Sequence, residues 1–176
     1  MRKHKITITI LGCVCIFLIA ALVMVPAAQA GEKTVKFKIA APITKMEVVP
    51  VQDVKGHVIG LFERRGVAIY ENGETAAYHS RLTFDSIRGK EGSYSGYADL
   101  SFADGSIIIW KFQGTAWGSK PRLIKGTGQY IKGTGRFEGI KGELSLSGKY
   151  VTPYTKDATK GDIVADYNST YTLPKK

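Results

Sequence analysis

Glycines at 126, 128, 133, 135, 139 and 142 are interleaved with lysines in KGTGQYIKGTGRFEGIKG, Lys125 to Gly142, a composition that could cradle a phosphate. Phosphate loops work because backbone amides at a helix N-terminus converge on the anion, so the loop must run from a strand into a helix. The chain continues instead into ELSLSGKY, Glu143 to Tyr150, whose apolar and polar residues alternate as in a strand. Context therefore excludes nucleotide chemistry. The glycines are expected where strands bend, bulge or pass close to one another.

Other residues that could do acid–base chemistry are few. Glu47 in KMEVVP and Glu138 are separate carboxylates with no motif linking them. His57 in VKGHVIG could serve as a general base, but no neighbouring carboxylate or serine completes a recognisable arrangement in the sequence. His79 and Arg81 lie two apart on the polar side of an alternating run, so they point outward together. His57 and His79 are the only histidines beyond residue 30, too few and too far apart for a histidine-dominated metal site. Both cysteines, Cys13 and Cys15, fall in the N-terminal segment, which leaves the folded part without disulfides, thiolate ligands or a thiol nucleophile. No metal and no cofactor is expected.

The elements that must position these residues have a period of two. Ala76, Tyr78, Ser80, Leu82 and Phe84 share one face of a strand, with Ala77, His79, Arg81, Thr83 and Asp85 on the other. The same alternation carries Tyr94 to Phe102, Ile108 to Gly114, Leu144 to Tyr150 and Ile163 to Leu173. ENGE (Glu71 to Glu74) and ADGS (Ala103 to Ser106) supply the Asn-Gly and Asp-Gly pairs of tight hairpins. No stretch beyond residue 30 has a 3.6-residue period. About eight strands joined by short hairpins, with a longer loop at Thr152 to Asp162, make an all-β domain. A single antiparallel meander with one apolar face is best stabilised by curling into a closed eight-stranded barrel, which buries that face and removes the edges.

Ahead of this domain stands a basic cluster (Arg2, Lys3, Lys5), an apolar run from Ile6 to Val25, and PAAQAG, whose Ala28 and Ala30 fit the small-residue rule for signal-peptide cleavage. Residues 1–30 therefore read as a signal peptide and 31–176 as the mature domain, periplasmic or secreted; an uncleaved N-terminal membrane anchor is the alternative. Of 25 basic residues three lie in the leader, so 22 face 15 acidic ones, a charge of +7 on the mature chain. The cations are scattered through polar positions rather than blocked together, as on a solvated basic surface. With an exported address they exclude nucleic acid as a partner and leave an anionic envelope component as one.

GTGRFEGIKGELSL, Gly133 to Leu146, preceded by SFADGSIIIWKFQGTAW, Ser101 to Trp117, resembles the glycine-rich strand-turn-strand signature of the allene oxide cyclase barrel superfamily, which includes the dirigent proteins. The likeness spans roughly Leu100 to Tyr150. It implies an eight-stranded barrel whose lumen accommodates a small, largely apolar molecule, a cavity that family members use to steer cyclisation or coupling. For allene oxide cyclases proper it implies a catalytic glutamate, for which Glu47 is the candidate. Val49 stands where the accompanying asparagine would be, and the mature chain lacks the family's cysteine, so that particular reaction is not implied.

The alternation independently directs Tyr78, Tyr94, Trp110, Tyr130, Tyr150 and Tyr167 into the barrel, an aromatic lining with hydroxyls that need partners when buried. Two outcomes are open at this stage: a cavity for a small hydrophobic or amphipathic molecule, or a filled barrel whose hydroxyls reach its two ends. Three functions are compatible with these outcomes. The protein is a binding module, a cyclase or isomerase using Glu47, or a structural envelope protein. If export proceeds as the leader implies, intact-mass measurement of protein recovered from the cell envelope gives a chain beginning at Gly31; a membrane-bound chain retaining Met1 would show the segment to be an anchor.

Overall fold

The computed structural model describes residues 31–118, 120–153 and 161–175. The leader expectation, residues 1–30 with both cysteines, and most of the long loop, 154–160, lie outside the described residues. Among the described residues nine antiparallel strands succeed one another: β1 (Lys33–Ala41), β2 (Ile43–Pro50), β3 (His57–Tyr70), β4 (Thr75–Ile87), β5 (Gly92–Phe102), β6 (Ile107–Trp117), β7 (Leu123–Gly133), β8 (Lys141–Tyr150) and β9 (Ile163–Thr172). A 3-10 turn, Gly135–Phe137, interrupts them between β7 and β8.

Each strand from β3 to β9 pairs with its sequence neighbour, and β1 pairs on both edges, with β9 on one side and the second half of β3 on the other. Strand β2 pairs with the first half of β3. Pro42, which has no N–H to give a ladder, separates β1 from β2, so the two form one broken stave. The result is a closed antiparallel eight-stranded barrel, as the alternating pattern implies.

Its hairpins show why the turn residues stand where they do. Gly73 N donates to Tyr70 O and Tyr70 N to Glu74 O, with Gly73 at φ +85°. The Asn72 carboxamide oxygen accepts from Glu74 N at 3.0 Å. The Asp104–Gly105 turn repeats this arrangement, with Asp104 Oδ1 accepting from Ser106 N at 2.9 Å. Only the glycine of each pair takes positive φ, and the Asn or Asp ahead of it caps the turn with its side chain.

The interior is filled by large residues set against small ones. Trp110 has no exposed surface, nor have Ala68, Ala98 and Ala165. The glycine pair Gly114 and Gly126, opposite each other on β6 and β7, makes room for the Tyr94 ring: a Cβ on them would stand 2.4 and 2.9 Å from its hydroxyl. Part of the glycine-rich segment is therefore barrel wall across which an aromatic lies flat. The rest is turn. Gly135 sits at φ +60° with Ser106 Oγ 2.4 Å from where a Cβ would be. Gly135→Ala combines left-handed strain with that clash and should cost about 1–3 kcal/mol, read as a lowered unfolding midpoint in urea with an unchanged slope. An unaltered midpoint would mean the turn relaxes freely.

Candidate functional site

The two ends of the lumen differ. At the end where β1 starts and β9 finishes, Phe137 from the 3-10 turn packs against Phe102 with ring centroids 4.9 Å apart. The Arg136 guanidinium lies 4.6 Å over the Phe102 ring and 4.8 Å over Phe137, and pairs with Glu74 and, at 3.5 Å, Asp104. Tyr130 and Ser169 share a 2.5 Å hydrogen bond above this plug. In the middle, Trp110 packs against Tyr78, Tyr130 and Tyr167 at centroid distances of 6.2–6.4 Å. Its indole N–H and the Ser80 hydroxyl find no hydrogen-bond acceptor or donor among the described residues.

At the opposite end two small cavities adjoin, each of about 30 Å³. The outer one is bordered by Met46, Phe84, Ser86, Ala116 and Arg122, the inner one by Arg64, Tyr78, Leu82, Phe112 and Tyr167, and Phe62, Tyr94 and Tyr150 belong to both. The larger hollows, about 690 and 780 Å³, are shallow depressions on the outer wall that share Leu61, Thr83, Ser95 and Gln113. They have no enclosed interior, and the mouth of the lumen is where aromatic, hydroxyl and cationic groups converge.

Burial sets the electrostatics of that mouth. It pushes the hydroxyls of Tyr94, Tyr78 and Tyr167 well up from the ordinary phenol value, so they remain neutral donors. Nearer the plug, burial raises Tyr130 to about 12. The Tyr94 hydroxyl donates to Lys125 O at 3.0 Å, fastening the ring across β6 and β7.

Arg64, which the alternation did not single out, is only 2% exposed. Its Nη1 donates to Gly161 O at 2.5 Å and to Ala41 O at 3.2 Å, and its guanidinium lies 4.8 Å from the Phe62 ring centre and 5.1 Å from that of Tyr150. Within ERR, Glu63 to Arg65, it reads as one of a solvated run. The parity of β3 was the available signal, because Phe62, Arg64 and Ala68 share the buried face. Arg122, at the rim, donates from Nη2 to Ser86 Oγ and Ala116 O, both at 3.2 Å.

The expected site residues divide. Tyr78, Tyr94, Tyr150 and Tyr167 border the mouth cavities. Trp110 packs behind Tyr78 and Tyr167 rather than in the cavity wall, and Tyr130 lies toward the plugged end. Glu47 is corrected outright: it stands on the outer face of β2, 65% exposed, with its carboxylate 2.8 Å from Lys45 Nζ. That hydrogen bond and charge hold its pKa below the usual carboxylate value. Met46 and Val48 are the less exposed alternates of the strand, so no movement short of unpairing β2 brings Glu47 into the lumen.

His57 also differs from expectation, since two carboxylates flank it: Asp53 Oδ1 at 2.6 Å from Nδ1 and Asp85 Oδ1 at 2.8 Å from Nε2. Both ring nitrogens face acceptors, so the imidazolium is the form that satisfies them. The three residues sit outside the rim, where they tie the 51–56 turn to β4. His79 and Arg81 point outward as expected, Arg81 Nη2 donating to His79 Nδ1 at 2.9 Å.

These features define a closed antiparallel barrel, plugged by Phe137 at one end and with arginines and phenols gathered at the other. The structure of a pterocarpan synthase dirigent protein superposes with a TM-score of 0.50 at 15% identity, over 88% of this chain and 95% of that one. A conserved protein of unknown function from Rhodopseudomonas palustris gives 0.53 at 12% identity, over 80% and 97%. At such identities the likeness is one of fold. No family model and no curated protein matches the sequence.

The carboxylates on His57, Asp85 foremost and then Asp53, raise its pKa above the ordinary 6.5. A raised folded-state pKa means the stabilisation is complete below the unfolded value and is lost as pH rises through the folded one. The melting-temperature gap between wild type and His57→Gln should therefore be widest at about pH 5.5–6 and shrink at alkaline pH. A gap independent of pH over that range would show the pair of carboxylates to be without effect.

Proposed function

We propose that this protein is an exported binding barrel that takes part of a small hydrophobic or amphipathic molecule into the mouth of its lumen. The observation that supports this most is the asymmetry of the lumen: one end is closed by Phe102, Phe137 and Arg136, while the other gathers Phe62, Phe84, Tyr94 and Tyr150 around adjoining cavities. Ligand sites for drug-sized molecules ordinarily enclose roughly 300–1,000 Å³. With cavities of only about 30 Å³, binding requires the mouth rings to swing aside or the bulk of the molecule to rest outside them. Export rests on the leader-like N-terminal segment alone.

A second reading has a specific observation in its favour. The filled centre, with Trp110 wholly buried, suits a structural envelope protein whose basic exterior meets an anionic component. An isomerase built on Glu47 is not supported, because that carboxylate is outside the wall.

Titration of the mature protein with fatty acids, terpenoids and phenolics, followed by tryptophan emission and by calorimetry, separates the two readings. A binding barrel gives saturable heat with at least one class and a change in Trp110 emission relayed through Tyr78 and Tyr167. Ala116→Leu fills the outer cavity and should weaken that binding about tenfold or more, an effect of roughly 1.4 kcal/mol. No saturable response to any compound leaves the structural reading.

A further inference from the structure

Arg64 presents a problem that the barrel alone does not solve. Burying a guanidinium is costly unless an opposite charge and hydrogen bonds compensate it. The ion pairs among the described residues are Lys38–Asp166, Lys45–Glu47, Arg81–Asp99, the Arg136 pairs and those of the two histidines, and none includes Arg64. Its compensation comes from two carbonyls and two aromatic rings. Both hydrogen bonds leave from Nη1; a guanidinium has five N–H donors, and the edge formed by Nε and Nη2 makes none to a described residue.

That side chain borders the inner cavity, and no aspartate or glutamate among the described residues borders either cavity of the mouth. The other groups there that can donate are phenols. Arg122 brings a second cation to the rim, again bonded to a hydroxyl and a carbonyl and to no carboxylate. Among the described residues that line the two cavities, the charged side chains are therefore both cations, Arg64 and Arg122, set among phenols and Phe62, Phe84, Leu82 and Phe112.

We propose that the inner cavity seats a carboxylate, held edge-on by Arg64, and that the molecule taken up is a monocarboxylate whose apolar part lies between Phe62, Phe84, Tyr94 and Tyr150. This rests on the binding reading above and names its ligand class. Three features select a carboxylate over other anions. The planar fork of Nε and Nη2 matches two coplanar oxygens. A cavity of about 30 Å³ accepts a flat three-atom group more readily than a tetrahedral phosphate. A single internal guanidinium neutralises one negative charge, not two. Tyr78 and Tyr167, kept protonated by burial, can donate to the same oxygens.

The test uses 3-phenylpropanoate and 3-phenylpropan-1-ol, which differ at the head group alone, measured by calorimetry on the mature protein at about pH 7.5, where a carboxylate is ionised. The carboxylate should bind at least tenfold more tightly than the alcohol. Arg64→Gln should bring the two within about twofold by weakening the carboxylate and leaving the alcohol unchanged, and Arg64→Lys should restore part of the preference. A second readout needs no variant to fold: the Arg64 Nε–Hε resonance of the wild-type protein should shift on adding the carboxylate and stay in place with the alcohol. Equal affinities with an unmoved resonance overturn the carboxylate seat while the binding barrel stands. Failure of both compounds to bind up to millimolar concentration, with no shift, overturns the seat and counts against the lumen reading as well.

Discussion

Everything inside the barrel depends on β1 finding partners on both edges. A sheet of this girth has a sidedness that only closure can satisfy, because an open edge would leave a row of unpaired N–H and C=O groups at the seam. The register from Lys33 opposite Tyr171 to Ala41 opposite Ile163 closes one side, and Phe37 opposite Tyr70 to Ala40 opposite Val67 closes the other. At Pro42 the ladder breaks, and β2 continues along β3 while leaving β9 behind. The edge this exposes belongs to a short strand bearing Lys45 and Glu47 and ending in Pro50, features that discourage pairing with another chain.

Closure fixes the girth, and the girth dictates what can be placed inside. A full ring of large side chains does not fit at every level, so Trp110 faces Ala98 across β5 and β6, Tyr94 faces Gly114, and Phe112 faces Gly96 and Gly128. This alternation of large and small is how small barrels fill their taper. The 3-10 turn then adds Phe137 at one end alone. The plug at that end therefore comes from the 3-10 turn between β7 and β8 rather than from the strands themselves.

The alternating strands were legible because one face of each is buried and the other is not. Tyr78, Tyr94, Trp110, Tyr150 and Tyr167 all stand on the side that their parity assigns. Parity gives direction and not depth, so it could not tell that Trp110 lies behind Tyr78, or how little space remains. Pairing across the sheet was equally hidden: Asp85 reaches His57 through the register of β3 against β4, 28 residues apart in sequence. Glu47 follows from the family resemblance alone, whereas the burial of β2 puts Met46 and Val48 on its less exposed face and Glu47 on the other. Arg64 is hidden for the opposite reason, since a charged residue within a charged triplet is ordinarily solvated.

The acids and bases of this protein are sorted by the wall. Carboxylates stand outside, where Lys38 meets Asp166 and Lys45 meets Glu47 in solvent-exposed pairs that contribute little to stability. Inside, the phenols are neutral, and the guanidinium of Arg64 is the one ionised group bordering the inner cavity among the described residues. A methionine of similar length would fill the same volume without the desolvation penalty, so packing alone does not account for an arginine there. Departures from local stability rules concentrate at positions that serve function, and the closed, well-filled barrel supplies the stability that offsets this one. The interior cation, which has no ion-pair partner among the described residues, lies at the end of the lumen opposite Phe137, and that coincidence, more than the size of any cavity, is the ground for placing the proposed ligand there.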